Sequence, residues 1–142
     1  MEKLMLISIK TKYSNKIFNG TKLYEYRRKS IGEKNCHKKI YVYSSQEEKA
    51  IVGYIIVDKI LQGDIAYILQ ETNNKNNIDI IDYFDGCDKG YALKIAKAVR
   101  FERPISLSKI KKQEKIFVVP QFYRYIKKDE YIYNVLKERN SL

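Results

Sequence analysis

Gly20-Thr21-Lys22-Leu23-Tyr24-Glu25-Tyr26-Arg27-Arg28 is the stretch best equipped for chemistry. A glycine turn leads into a short extended segment carrying a lysine, a glutamate and two arginines. Burying such charges unpaired costs several kcal/mol each, so the segment is poor core material and better material for a site. The period of a strand puts Leu23, Glu25 and Arg27 on one face and Tyr24, Tyr26 and Arg28 on the other. Two polar faces in one strand suit the border of a groove or a barrel mouth. Lys22 and Arg27 offer charge-assisted donors to phosphate, and arginine can do so through two parallel bonds. Glu25 can accept from an exocyclic amine or ring N–H of a base. On spacing alone, Glu25 paired with Lys22 or Arg27 reads first as a structural ion pair and only second as a site.

A second cluster, Pro120-Gln121-Phe122-Tyr123-Arg124-Tyr125, mixes aromatic and polar side chains as site-lining segments do. Tyr24, Tyr43, Phe122 and Tyr123 are candidates to stack an unpaired base, at about 1–3 kcal/mol per base. Gln121 is a candidate to read a base edge, and Ser44 and Ser45 to bond phosphate. Tyr43 and Phe122 read equally as core aromatics. Arg28 and Arg124 complete the cationic set. His37 adjoins Cys36, but adjacent residues of an extended segment point apart, so the pair reads as loop residues rather than a nucleophile and its base.

The elements that must position these groups follow from hydrophobic periodicity. Leu4–Ile9 is a strand. Tyr13–Phe18 is a short helix that Asn19-Gly20 stops. The charged strand runs from about Lys22 to Arg28, and a basic loop spans Lys29–Lys39. Ile40–Ser44 is a strand with Tyr41 and Tyr43 on one face, and Ala50–Ile60 is a longer, nearly all-apolar strand. Asp64 caps a helix through Ile65, Ile68 and Leu69, and Thr72–Asn77 is a polar connection. Ile78–Phe84 is a second small helix, and Gly90–Phe101 is the clearest strand. Pro104–Leu107 begins a turn, Lys109–Lys115 is basic, and Ile116–Val119 is a last short strand. Asp129 caps a terminal helix at about 129–139. The acidic residues Asp64, Glu71, Asp79, Asp82, Asp85 and Asp88 fall together, so this region is expected to face away from an anionic ligand.

The 142 residues carry a net charge of +11, 44% hydrophobic residues, thirteen tyrosines and two cysteines. One domain spanning 1–142 is expected. The charge points to an anionic partner, nucleic acid before a membrane surface. No apolar run approaches the roughly 20 residues of a bilayer span, and Met1-Glu2-Lys3-Leu4 lacks the layout of a secretory signal. Isolated Cys36 and Cys87 indicate neither a disulfide nor a zinc site, so a cytoplasmic protein is expected, without metal or cofactor.

Gly20-x-Lys22-x-x-Glu25-x-Arg27 is similar to the GxKxxExR signature of ASCH domains, members of the PUA-like superfamily. Ser8–Lys12, Tyr41-Val42-Tyr43-Ser44-Ser45 and Gly90–Ile95 resemble the same family at suitable positions, as does Pro120–Tyr125, so the resemblance covers about Met5 to Tyr125. It implies an α+β fold: a mainly β pseudo-barrel of five to seven strands with short covering helices. It also implies a cleft holding Lys22, Glu25 and Arg27, and binding of RNA or modified nucleotides, in a regulatory role among others. Single-stranded DNA is a second candidate ligand.

Some ASCH proteins are enzymes. In a branch that deacetylates modified cytidine, the nucleophilic threonine falls, by alignment through Gly20 and Lys22, where this chain has Glu25. A carboxylate cannot replace that hydroxyl in the same acyl transfer, and Thr21 precedes the lysine. An enzyme using Lys22 and Glu25 is an alternative to binding alone: a metal-independent ribonuclease, with Lys22 stabilising a pentacoordinate phosphate and Glu25 as base, or a modified-nucleoside amidohydrolase despite that departure. A protein-interaction or inhibitor domain using the basic face is another.

Overall fold

In the computed structural model, which describes residues 2–140, the chain is built on one curled sheet. Met1, Ser141 and Leu142 of the expected 1–142 domain lie outside the described residues. The six strands are β1 (Leu4–Lys10), β2 (Tyr24–Arg27), β3 (Lys39–Ser45), β4 (Ala50–Gly63), β5 (Gly90–Ser106) and β6 (Tyr123–Ile126), in the order β2-β5-β4-β3-β1-β6. Among the described residues, only β1 and β3 pair in parallel. This is the expected mainly β α+β architecture.

Apolar residues on both faces of the middle strands explain their unbroken hydrophobic runs. Leu4 and Leu6 of β1, with Tyr41 and Tyr43 of β3, enter one core with Phe101, Ile110 of α4 (Leu107–Gln113), and Ile132 and Leu136 of α5 (Tyr131–Asn140). Met5, Ile7 and Ile9, with Ile40 and Val42, enter the other, together with Ile17 of α1 (Thr11–Phe18). A third, smaller core joins Ile68 of α2 (Ile65–Glu71) to Phe84 and Ala92, with Tyr24, Tyr26, Ile80 and Tyr83 packed against it. It seats α2 and α3 (Ile78–Tyr83) over β2 and β5.

The ends of the helices follow local rules. Asp64 Oδ1 accepts from the Tyr67 N–H at 2.8 Å, as its capping role requires. Helix α2 ends with Asn73 at φ +59, Asn74 N donating to Leu69 O and Asn73 N to Gln70 O. These paired bonds turn the chain sharply and present the asparagines beside β2.

Three local expectations are corrected. Strand β5 continues through Pro104 to Ser106, because its ladder with β4 resumes at Ile51↔Ile105 beyond an irregularity that tolerates proline. The basic stretch after it is helical in α4, where Ser106 Oγ accepts from Lys109 N. Ile116–Val119 is not a strand: no ladder reaches it, and only Phe117 among Ile116, Phe117 and Val118 is buried. The terminal helix begins at Tyr131, two residues beyond Asp129.

Strands β4 and β5 bend where their register shifts, between Ile51 and Gly53. A Cβ at Gly53 would lie 2.1 Å from Val99 O and 2.9 Å from Arg100 Cα, both backbone atoms that cannot rotate away. Gly53→Ala is therefore expected to cost about 3 kcal/mol through overpacking, read as a lower denaturant midpoint with unchanged slope. A midpoint equal to the parent's would show that the bend does not need this close approach.

Candidate functional site

Strand β2 pairs with β5 through Tyr24↔Lys94, Glu25↔Leu93, Tyr26↔Ala92 and Arg27↔Tyr91, and is otherwise an edge. Its free edge is closed by side chains. Arg27 Nη2 donates to Ser8 O of β1 at 2.5 Å, spanning the gap between two strands that share no ladder. Ser8 itself is fixed to the Pro120–Phe122 segment, its N–H donating to Phe122 O at 2.9 Å and its hydroxyl to Pro120 O at 2.7 Å.

Glu25 lies at the centre, with only 5% of its surface exposed. Its Oε1 is 3.2 Å from Lys22 Nζ and its Oε2 2.8 Å from Arg27 Nη2. Lys22 also donates to Tyr24 O, and its ammonium sits 4.8 Å from the Tyr26 ring and 5.6 Å from the Tyr13 ring. Burial pushes the Lys22 pKa below its ordinary value, against the opposing pull of Glu25. Burial also raises Tyr26 and Tyr83, which therefore remain phenols and hydrogen-bond donors at neutral pH. The Arg27 guanidinium lies 4.8 Å over the Phe122 ring, and its buried Nε has no hydrogen-bond partner among the described residues.

These groups open into a cavity of about 710 Å³, within the range of small-ligand sites. Lys22, Tyr24, Glu25 and Arg27 line it, as do Ser45 and Gln121. The other proposed site residues lie elsewhere. Arg28 points at α3, donating to Tyr83 O at 3.0 and 2.6 Å and lying 4.9 Å from the Tyr83 ring. Tyr43 is buried in the core beneath α4 and α5, and desolvation raises its pKa. Ser44 donates to Thr11 Oγ1 at 3.0 Å and shares a 2.9 Å bond with Ser14, locking α1 onto β3. Phe122 supports Arg27, and Tyr123 packs edge-on against Phe122 and Tyr125. Arg124 is tied to Glu130 at 3.0 Å and to Val118 O at 2.7 Å.

The wall facing β2 is a surprise. Of Pro120–Tyr125, only Gln121 lines the cavity, whereas Glu71, Thr72, Asn73, Asn74, Asn77, Asp79, Ile80 and Tyr83 all do. Part of the acidic middle of the chain, Glu71 and Asp79, thus borders the site rather than facing away from it, because the α2 cap folds the asparagine run back to β2; Asp64, Asp82, Asp85 and Asp88 do not line it. Asn74 Nδ2 donates to the Tyr26 hydroxyl at 2.9 Å and closes that seam. Tyr13, Lys10 and Lys16 complete the cationic side. The one available signal was Thr72–Asn77 itself, a run too rich in amides to be only a connector.

Two other readings lose their geometry. His37 is 72% exposed at φ +65 and leans on Asp58 at 3.7 Å, while Cys36 is buried and its thiol pKa raised. The Thr21 hydroxyl is engaged by Asn19 Oδ1 at 2.7 Å and Lys16 O at 3.3 Å.

The chain is 26% identical over 128 residues to an ASCH domain-containing ribonuclease of Zymomonas mobilis, covering 88% of this chain and 85% of that protein. The crystal structure of ASCH from Zymomonas mobilis superposes with a TM-score of 0.80 over 94% of each chain, at 26% identity. In sequence and in fold the chain is similar to ASCH domains. No family model matches it. A serine-to-alanine variant of the Zymomonas protein gives the same TM-score at 25% identity, over 95% of this chain and 96% of that one. The N-terminal domain of Staphylothermus marinus McrB shares the fold alone, at a TM-score of 0.57 and 14% identity over 93% of this chain and 96% of that one.

The Lys22-x-x-Glu25-x-Arg27 segment is thus a buried charge array as well as a cavity wall. Because the folded Lys22 pKa lies below the unfolded one, the unfolded chain holds the extra proton between them. The cost of charging Lys22 is therefore present at neutral pH and vanishes as pH rises through that window. Glu25→Gln removes the charge that holds Lys22 protonated. Two outcomes are expected: a loss of about 3 kcal/mol from two unpaired cations, and deprotonation of Lys22 at lower pH by side-chain NMR. An unchanged Lys22 titration would mean that Glu25 does not govern it.

Proposed function

We propose that this ASCH-like domain binds RNA, or a single nucleotide, by seating one unpaired base and its phosphate in the β2 cavity. The observation that carries this reading is the Lys22–Glu25–Arg27 array opening into a cavity bordered by tyrosines. Lys10, Lys16 and Lys22 supply cationic donors for phosphate, and Tyr13, Tyr24 and Tyr83 supply ring surface. Ser45 and Gln121 add polar contacts at the rim. Single-stranded DNA presents the same base and phosphate without the 2′-hydroxyl and is the natural competitor in any assay. A cytoplasmic setting, where single-stranded RNA is abundant, fits the net charge of +11.

A ribonuclease activity is the second reading, favoured by the name of the Zymomonas relative and by the depressed Lys22 pKa. In such a step the ribose 2′-oxygen attacks the adjacent phosphorus and the bond to the 5′-oxygen breaks. The 2′ proton passes to a base, and the departing 5′-oxygen takes a proton. Lys22 is suited to the departing oxygen or to the charged phosphorane. Glu25 is a poor base as it stands, since each of its oxygens is engaged by a cation. Binding therefore ranks ahead of cleavage.

Fluorescence anisotropy with single-stranded RNA should show affinity that falls steeply with salt, as released counterions require. Lys22→Ala should weaken it about tenfold, while Arg103→Ala, exposed on β5 and away from the cavity, should change it less than about threefold. Affinity should fall as pH rises through the depressed Lys22 pKa, before ordinary lysines titrate. Equal losses in the two variants would place binding on diffuse surface charge. Turnover of labelled RNA that disappears in Lys22→Ala would replace the binding reading with the ribonuclease reading.

A further inference from the structure

Helix α3 has no buried residue, although four of its six residues are isoleucine or tyrosine. Ile80 and Tyr83 turn towards the small core under α2. Ile78 and Ile81, three apart and so on one face, are 69% and 40% exposed. Asp82 continues that stripe at helical spacing, Asp85 follows in the turn after the helix, and both are exposed. At the other end of β5, the segment after α4 turns Ile116 and Val118 outward, 85% and 60% exposed. Lys111, Lys112 and Lys115, all exposed, precede and flank them. None of these five charged side chains has an ion-pair partner among the described residues.

An exposed isoleucine pair on a solvent-facing stripe costs free energy unless something covers it, and apolar patches rimmed by charge mark interfaces. The two patches have opposite charge and the same aliphatic chemistry. Within one chain they stay apart, because α3 precedes β5 and α4 follows it, and the β4–β5 ladder runs from Gly63↔Gly90 to Ala50↔Ser106 between them. We propose that the acidic face of α3 docks on the basic Ile116–Val118 face of a second copy of this chain. The contact is heterologous, so each copy keeps one patch free and assembly continues beyond a pair. Its pairing of carboxylates with ammonium groups fixes which copy end meets which.

The test is sedimentation of the full chain after nuclease treatment, over a range of concentrations. The weight-average mass should rise with concentration without stopping at two copies, and high salt should weaken association about tenfold. The double variants Asp82→Lys with Asp85→Lys, and Lys111→Glu with Lys112→Glu, should each be monomeric at the parent's melting temperature. Mixing the two should restore association, since both reversed faces are complementary again. A parent chain monomeric throughout, association that survives either reversal, or a mixture that stays monomeric would each overturn the proposal. So would association seen only before nuclease treatment, or capture by anionic vesicles without self-association.

Discussion

Three charged side chains share one partly enclosed space on an edge strand, and the rest of the site depends on how that conflict is resolved. Burying Lys22, Glu25 and Arg27 is tolerable only because the glutamate stands between the two cations, one per oxygen. The arginine then has donors left, and one of them reaches Ser8 O across the open side of the sheet. A six-stranded open sheet thereby acquires a barrel-like closure without a continuous backbone ladder. What binds the strand in place and what equips the cavity are the same three residues.

The depressed Lys22 pKa belongs to the same compromise. Desolvation works against its charge, while Glu25 and the faces of Tyr13 and Tyr26 work for it. A lysine held in that balance is more responsive to an arriving anion than a surface lysine, because little water remains to screen the interaction. Arg27 is different. Its guanidinium is committed to Glu25, Ser8 O and the Phe122 ring, which makes it chiefly a positioning group. Its buried Nε has no hydrogen-bond partner among the described residues.

Much of the fold was legible because periodicity is a local property. Leu4–Ile9 and Ile40–Ser44 carry apolar residues in both parities, and the structure sends each parity into a different core. The signature strand was legible for the opposite reason, since its charges made no sense in a core. Ser44 and Tyr43 were misplaced because polarity and aromaticity alone do not say which face a residue occupies. Arg28 was misplaced because its partner, the Tyr83 carbonyl, is 55 residues away and carries no side-chain signal. Ile116–Val119 looked like a strand because β-branched residues suit an edge, yet no neighbouring strand accepts it.

The cavity's second wall was hidden for a more instructive reason. Its acidic residues were read as a unit by net charge, but a helix cap acts residue by residue. The left-handed Asn73 and the bonds from Asn73 and Asn74 back to α2 decide where the segment goes. That turn places amides and carboxylates opposite lysines, so the cavity is dipolar rather than uniformly basic. Much of the large positive charge therefore lies outside it, on exposed residues such as Lys97, Arg103, Lys111 and Lys112. A dipolar pocket favours a ligand that is itself polar at both ends, with phosphate at one and hydrogen-bonding base edges at the other. The surrounding positive field can raise the encounter rate with any polyanion, but the pocket must supply the discrimination. Charge read from composition thus predicts attraction, and selectivity depends on the local inversion of that charge beside β2.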